Sequence, residues 1–365
     1  MDASAAGTPT PAGANVPSKV SYDESRGRVV VWFSAPTLGG AELWAWTVAT
    51  RTWARLSPAR WPTLWPAADD EAGAYESAVY DAGRGRLVWF SSDSDIDVEA
   101  LEWDGQSPTF SDPRPPTVGA WPSHLYDISA VYDRDDARSY VFGVRDQRDP
   151  QLWEWHGDTG SWVDRTNADD PTRAAPDVGG TSSMAYDARR GRLVLWAHPF
   201  STTTFVVSEW DPATGLWEQR DVPANVLARA KEGGVAVYDE ARGRVVLVWP
   251  GPAIAEWDGA SWTLPTVPTP ATPVATVLAT YDPRRGRVVV LEGGAKLASW
   301  DGQHLVDETP ASFAAVAADI QTPAAGLVYD WTRGNLVLMG ERAANLLPNS
   351  ALGLGVWTGS ATPPP

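Results

Sequence analysis

The chain contains no cysteine among its 365 residues. Without cysteine it has no disulfide, no thiolate ligand for a metal ion and no cysteine nucleophile. Its fold therefore depends on a hydrophobic core and on hydrogen bonds. Any chemistry that needs a thiol is excluded.

Lysine is nearly absent: three lysines stand against 26 arginines, and the formal net charge is −17. Proteins that bind nucleic acid or an anionic membrane surface usually present a basic face. The sequence also has no apolar run near the roughly 20 residues that a membrane-spanning helix needs. We therefore expect no nucleic-acid partner and no membrane insertion, and a protein that is soluble as a monomer.

Residues 1–16 lack the basic and apolar regions of a signal peptide. They are rich in alanine, threonine and proline, which is the composition of a flexible linker, and residues 361–365 are predicted to be a disordered tail. A linker of this kind is what remains when an export signal or a lipid anchor is trimmed. This predicts a secreted, cell-surface or periplasmic protein.

The chain does contain a repeated motif. A Tyr-Asp pair occurs seven times at intervals of 43 to 58 residues, and in six copies an Arg-Gly pair and an apolar run follow it. A period in this range indicates a repeat array, and for strands it predicts a propeller. The copies are Tyr22-Asp23, Tyr80-Asp81, Tyr132-Asp133, Tyr186-Asp187, Tyr238-Asp239, Tyr281-Asp282 and Tyr329-Asp330.

Each repeat unit is predicted to form four short strands. The first strand ends in Tyr-Asp, and the glycine of Arg-Gly supplies the left-handed residue that the following hairpin loop needs. The apolar run forms the second strand, and the third ends in a tight turn such as Trp103-Asp104-Gly105. An aromatic residue such as Trp53 opens the fourth strand. One such sheet cannot bury both of its faces, whereas several packed radially can.

These motifs resemble those of the kelch-type propellers, an architecture also found in the central domain of galactose oxidase. The resemblance implies an all-β, seven-bladed β-propeller with four-stranded antiparallel blades. It places one domain over residues 17–360, with blades that begin near residues 17, 74, 125, 179, 232, 275 and 323. The copper-radical oxidases of this architecture use a tyrosine cross-linked to a cysteine, so this chain departs from them at a decisive residue.

Three tryptophans fall outside the repeat units, in the links that lead into the second and third blades: Trp61, Trp65 and Trp121. These links are predicted to lie on one face of the propeller, which we call the loop face. Clustered aromatic rings beside polar groups can cover the apolar face of a sugar, and Tyr75 lies close in sequence. The alternative is that the tryptophans only fold long links back onto the blades.

A run of alternating carboxylates consists of Asp93, Asp95, Asp97 and Glu99. Carboxylates spaced in this way resemble the start of a calcium loop, although Val98 stands where such a loop has glycine. The two interpretations are a calcium site and a solvated acidic hairpin.

Acid/base candidates also fall on the loop face. His124 and His198 are predicted to meet near the axis, and Glu76, Tyr126 or Asp127 could complete a catalytic set. No metal-ligand spacing supports this set.

Three arginines lie on the loop face outside the repeat motif: Arg145, Arg148 and Arg173. Local ion pairs with nearby aspartates explain them, and an acidic ligand is the alternative.

We therefore expect an exported ligand-binding propeller that binds carbohydrate or a protein surface on the loop face. The alternatives are an enzyme of polysaccharide lyase or hydrolase type that uses the central funnel, with or without a metal, and a structural module of a surface assembly. A propeller fold does not by itself select among these three functions.

Overall fold

A computed structural model describes the part of the chain that carries the repeats: residues 16–34, 42–56, 75–92, 97–106, 121–145, 149–166, 175–178, 182–199, 204–230, 233–251, 253–267, 277–293, 296–309, 326–341 and 352–358. These residues form 26 strands and one helix of four residues. No helix among them is long and apolar enough to cross a membrane.

The strands form antiparallel sheets in chain order. The first contains β1 (Val16–Asp23), β2 (Arg28–Ser34), β3 (Glu42–Thr47) and β4 (Thr52–Arg55). The second contains β5 (Tyr75–Asp81), β6 (Arg86–Ser92) and β7 (Glu99–Trp103). The third contains β8 (Leu125–Asp133), β9 (Arg138–Arg145), β10 (Asp149–His156) and β11 (Ser161–Asp164). The fourth contains β12 (Ser182–Asp187), β13 (Arg192–Ala197), β14 (Val206–Asp211) and β15 (Leu216–Arg220).

Helix α1 (Ala224–Leu227) precedes the fifth sheet. That sheet contains β16 (Val235–Asp239), β17 (Arg244–Trp249), β18 (Ala253–Trp257) and β19 (Trp262–Thr263). The sixth contains β20 (Val277–Asp282), β21 (Arg287–Glu292), β22 (Lys296–Trp300) and β23 (Leu305–Asp307). The last contains β24 (Gly326–Asp330), β25 (Asn335–Glu341) and β26 (Leu352–Thr358).

This strand count corrects the predicted fold class. The protein is an all-β β-propeller, but the prediction of seven four-stranded blades is wrong, because only five sheets have four strands within the described residues. The sheets of β5–β7 and β24–β26 have three strands each there. The motif that opens each unit predicts the first two strands well, whereas nothing as regular marks the fourth.

The first strand of each sheet lies innermost and contacts the first strand of the next sheet. The contacts run from β1 to β5, β8, β12, β16, β20 and β24, and β24 contacts β1 in turn. The hydrophobic core therefore lies between neighbouring sheets. In β21, for example, Val288 and Val290 pack with residues of the fifth sheet, while Val289 and Leu291 pack with those of the last. Both faces of the second strand are buried, which explains its continuous apolar sequence.

The Tyr-Asp-x-x-Arg-Gly turn is held by an ion pair. In the fifth sheet, Arg242 donates from Nε to Asp239 Oδ2 at 2.8 Å and also bonds Glu256, the residue before the tryptophan of the third strand. Trp300 of the next sheet donates to Glu256 Oε1 at 2.6 Å. Burial alone would lower the pKa of Arg242, but its hydrogen bonds to Glu256 and Asp239 raise that pKa. One arginine thus ties a turn to its own third strand and, through Glu256, to the next sheet.

Arg84 and Arg190 make the same contacts, each donating from Nε to its turn aspartate at 2.6 Å. Arg84 also bonds Glu102, and Arg190 bonds Glu209. The planar guanidinium presents five N–H donors in a fixed fork, which suits a bridge between two carboxylates better than the compact ammonium of lysine. The network accounts for much of the excess of arginine over lysine.

The tyrosine of the motif links neighbouring turns. Tyr132 donates its hydroxyl to Asp81 Oδ1 at 2.7 Å and accepts a hydrogen bond from the Gly83 amide at 3.1 Å. Burial, together with the hydrogen bond to Asp81, raises the pKa of Tyr132 to about 12. The same contact joins the first and last sheets, where Tyr22 donates its hydroxyl to Asp330 and accepts from the Thr332 hydroxyl, whose Oγ1 lies 2.9 Å away.

The turn of the third sheet departs from this pattern. Asp136 stands at the arginine position, and Ala137 takes the left-handed conformation (φ 53°) that glycine has in the other turns. Within the described structure, Asp133 Oδ2, the oxygen that an arginine would bond, has no hydrogen-bond partner, and burial raises the pKa of this carboxyl. The carboxylate of Glu154, which the turn arginine would bond, is instead hydrogen-bonded to two other side chains. Arg165 donates from Nε to Oε2 at 2.7 Å, and His156 Nε2 lies 2.7 Å from Oε1.

Candidate functional site

Only some of the predicted site residues fall within the described structure. Those outside it are Trp61, Trp65, Arg148, Arg173, Asp93 and Asp95. Tyr75 and Glu76 begin β5, where they pair with Ser92 and Ser91. Because β5 runs from Tyr75 to the Asp81 turn, its start marks the end of the sheet opposite that turn, which is the loop face.

The segment that leads into the third sheet is anchored to the second. Trp121 donates from Nε1 to the Val98 carbonyl at 2.6 Å, and the Val98 amide donates to the Pro122 carbonyl at 2.8 Å. The Leu125 amide donates to Ser92 Oγ at 3.0 Å. These bonds fix the start of β8 beside the loop between β6 and β7.

Trp121 lies half-buried over the seam between these two sheets. Its ring is 6.0 Å from that of Trp162 and 6.4 Å from that of Trp155, and both contacts are edge-to-face at 75°. One part of the indole therefore packs on the propeller, as the structural interpretation of the tryptophan links expects. The solvent-accessible remainder is the part that a ligand would meet.

The start of β8 holds two left-handed residues that are not glycine. His124 has φ 51° and Asp127 has φ 52°, and the register with β9 shifts between Tyr126 and Ser129. This bulge presents Asp127 on the inner strand of the sheet. Gly143 allows the close approach of β8, because a Cβ there would lie 3.1 Å from the Tyr126 carbonyl oxygen. Such conformations cost energy and tend to occur at functional sites.

The carboxyl of Asp127 is the most distinctive polar group of this segment. It is half-buried, it makes no hydrogen bond to the described residues, and burial raises its pKa. A desolvated carboxyl without a donor is costly, and a ligand that brings hydroxyl or amine donors would satisfy it. The sequence indicates Asp127 only as a possible partner of the histidines, since the bulge that exposes it has no sequence signal.

His198 follows β13, in the fourth sheet. Its ring lies 4.9 Å from that of Phe205, which in turn stacks on Trp196 at 4.7 Å. The structure shows no hydrogen bond between His198 and His124, both of which are described. Aromatic packing accounts for His198.

Arg145 ends β9 and forms an ion pair with Asp149 at the start of β10. Their side chains are 43% and 40% exposed, and Gln151 also donates to Asp149, at 3.3 Å. This pair neutralises Arg145 locally.

The described half of the acidic run is split between two environments. Asp97 is exposed, whereas Glu99 is only 2% exposed and pairs with Ser91 in the sheet. No group of three or more histidines, aspartates or glutamates suited to a metal ion occurs among the described residues. The calcium site stays a prediction, because Asp93 and Asp95 lie outside those residues.

Comparison with known proteins supports the fold. No family model matches the chain, and no curated protein matches it. Among solved structures, the BP39L lectin from Burkholderia pseudomallei is similar at a TM-score of 0.60 and 14% identity, over 95% of this chain and 97% of the lectin. The β-propeller domain of the Trilobed protease from Pyrococcus furiosus is similar at a TM-score of 0.54 and 12% identity, over 96% and 95% of the two chains. At these identities the similarity shows a β-propeller and nothing finer.

Proposed function

We propose that this propeller binds carbohydrate on its loop face, at the start of β8. The observation that carries the proposal is Asp127, a half-buried carboxyl in a left-handed bulge with no hydrogen bond to the described residues. A sugar would bring two adjacent hydroxyl donors to the two oxygens of such a carboxylate. The similar fold of the BP39L lectin is consistent with this use of a propeller.

The neighbouring groups suit the same ligand. Tyr126 and His124 precede Asp127 by one and three residues, and Trp121 begins the same anchored segment. Aromatic rings cover the apolar face of a sugar, while a few polar groups fix its orientation. Because Leu125 and Val98 are fully buried below this segment, the site would rest on a rigid part of the propeller.

An enzymatic function has less support. The predicted acid/base set includes both His124 and His198, and the His198 ring packs against that of Phe205. We therefore propose that the protein acts by binding and that it is exported. We also propose that its repeated turn motif is of the kelch type.

A glycan-array screen in calcium-containing buffer tests the proposal. Asp127→Asn should weaken any specific binding roughly 10- to 100-fold, since hydrogen bonds to a charged acceptor contribute about 1.5–3 kcal/mol. Asp158→Asn is the matched control, because Asp158 is an exposed carboxylate in the turn between β10 and β11, at the opposite end of the third sheet. An EDTA arm tests the acidic run from Asp93 to Glu99.

Equal binding by Asp127→Asn and the unchanged protein would refute this site. Failure to bind any glycan would refute carbohydrate binding itself.

A further inference from the structure

The residue after each Tyr-Asp pair lies where the innermost strand ends, on the face opposite the loop face, which we call the turn face. There it stands at the mouth of the central channel, the space that the innermost strands surround in a propeller. Four of these residues carry long or aromatic side chains: Glu24, Arg134, Glu240 and Trp331. They belong to the first, third, fifth and last sheets. Three other copies have alanine or proline at this position.

Arg134 contacts residues from across the ring. It donates from both terminal nitrogens to Glu24, one of them to Oε2 at 3.3 Å, and its guanidinium carbon lies 5.2 Å from the centre of the Trp331 ring. Burial raises the pKa of Glu240. The positive charge of Arg134 lowers that pKa and the negative charge of Glu24 raises it, so Glu240 lies close to both residues. Side chains from four sheets therefore converge at one mouth of the channel.

The third sheet has its turn arginine at a different position. The other turns place arginine three residues after the aspartate, where it bonds that aspartate, whereas this turn reads Asp133-Arg134-Asp135-Asp136. The guanidinium is thus present at the channel mouth and not beside Asp133, whose Oδ2 has no hydrogen-bond partner among the residues that the structure describes. In this turn, therefore, the arginine contacts residues of distant sheets and not its own turn aspartate.

We propose that Arg134, Glu24 and Trp331 form an axial clasp that narrows the turn-face mouth of the channel and stabilises the junction between the first and last sheets. The first and last sheets are not consecutive in the chain, and the clasp joins them through Arg134 of the third sheet. Ligand access to the channel is then from the loop face. An ordinary exposed ion pair would contribute little and would have no effect confined to that junction.

Hydrogen exchange of the whole chain tests the clasp, because it resolves local opening strand by strand. Arg134→Met should speed amide exchange in β1 and β24 roughly five- to tenfold, with little change in β12 and β16. Arg138→Met is the matched control: Arg138 lies in the same turn but contacts Asp158 and Glu154 of its own sheet, at 3.3 and 3.6 Å.

Unchanged exchange in β1 and β24, or an equal effect of Arg138→Met, would overturn the proposal. If Arg134→Met does not fold, Glu24→Met removes both acceptor oxygens from the same pair while it leaves Arg134 on Trp331. That variant should also speed exchange in β1 and β24, and protection equal to that of the unchanged protein would again overturn the clasp.

Discussion

Replacement of Arg242 by methionine tests whether the arginine network holds the propeller together. The change removes the guanidinium from Asp239 and Glu256, whose side chains are 0% and 3% exposed. Removal of one partner from a buried ion pair costs about 3–5 kcal/mol. The residue 242 amide would still donate to Asp239 and Trp300 would still donate to Glu256, and the Arg242 side chain is itself 22% exposed. We therefore expect the lower end of the range, about 3 kcal/mol.

Urea denaturation followed by far-UV circular dichroism and by tryptophan fluorescence gives the free energy of unfolding, provided that the two transitions coincide. Arg145→Met is the control, since its exposed pair with Asp149 should contribute only about 0–1 kcal/mol. Glu256→Gln should also destabilise, and the double variant should lose less than the sum of the two single losses. If Arg242→Met costs no more than Arg145→Met, the network does not stabilise the fold as we argue.

Two further predictions concern residues that depart from the repeat. Ala137→Gly should raise the free energy of unfolding by about 0.5–1 kcal/mol in urea denaturation, because alanine is strained at φ 53° and glycine is not, and a loss of stability would contradict this. Glu292→Met should stabilise by about 1–3 kcal/mol at pH 7, because the Glu292 carboxyl is 2% exposed and neither of its oxygens has a hydrogen-bond partner in the described part of the chain. Burial raises the pKa of the Glu292 carboxyl above 4.5 in the folded state. As the pH rises from 4.5 through this higher folded-state pKa, ionisation of Glu292 progressively lowers the free energy of unfolding. The advantage of Glu292→Met should therefore shrink at pH 4, and the same advantage at pH 4 and pH 7 would show that ionisation is not the cause.

The sequence predicts the propeller because its signal is local and repeated. Tyr-Asp, Arg-Gly and the apolar run lie within about 12 residues of one another, and they define the first hairpin of each sheet. The partners of the turn arginine are harder to find. Glu256 lies 14 residues beyond Arg242, and Trp300 lies 44 beyond Glu256 in the next unit. In the sequence, a glutamate precedes the tryptophan of the third strand in several repeat units. The role of this glutamate depends on how one sheet packs against the next.

The candidate site is less predictable for a related reason. The segment from Trp121 to Tyr126 is conspicuous in composition, and the sequence indicates it correctly as a link into the third sheet. Asp127 depends on a one-residue irregularity in the pairing of β8 with β9, which no residue pattern announces. Arg134 looks like a defective copy of the turn motif until the channel mouth shows what it contacts.

The junction between β24 and β1 closes a far longer loop than any other junction. Tyr22 and Asp330 are 308 residues apart, whereas Tyr132 and Asp81, which make the same contact, are 51 apart. Loop-closure entropy grows only with the logarithm of length, so the longer closure costs about 1.6 kcal/mol more. A few added contacts at that junction, of the kind that Arg134 makes, are enough to offset this difference. The entropic cost of returning the end of a long chain to its start is thus modest, and the ring can close with the same contacts that join its other sheets.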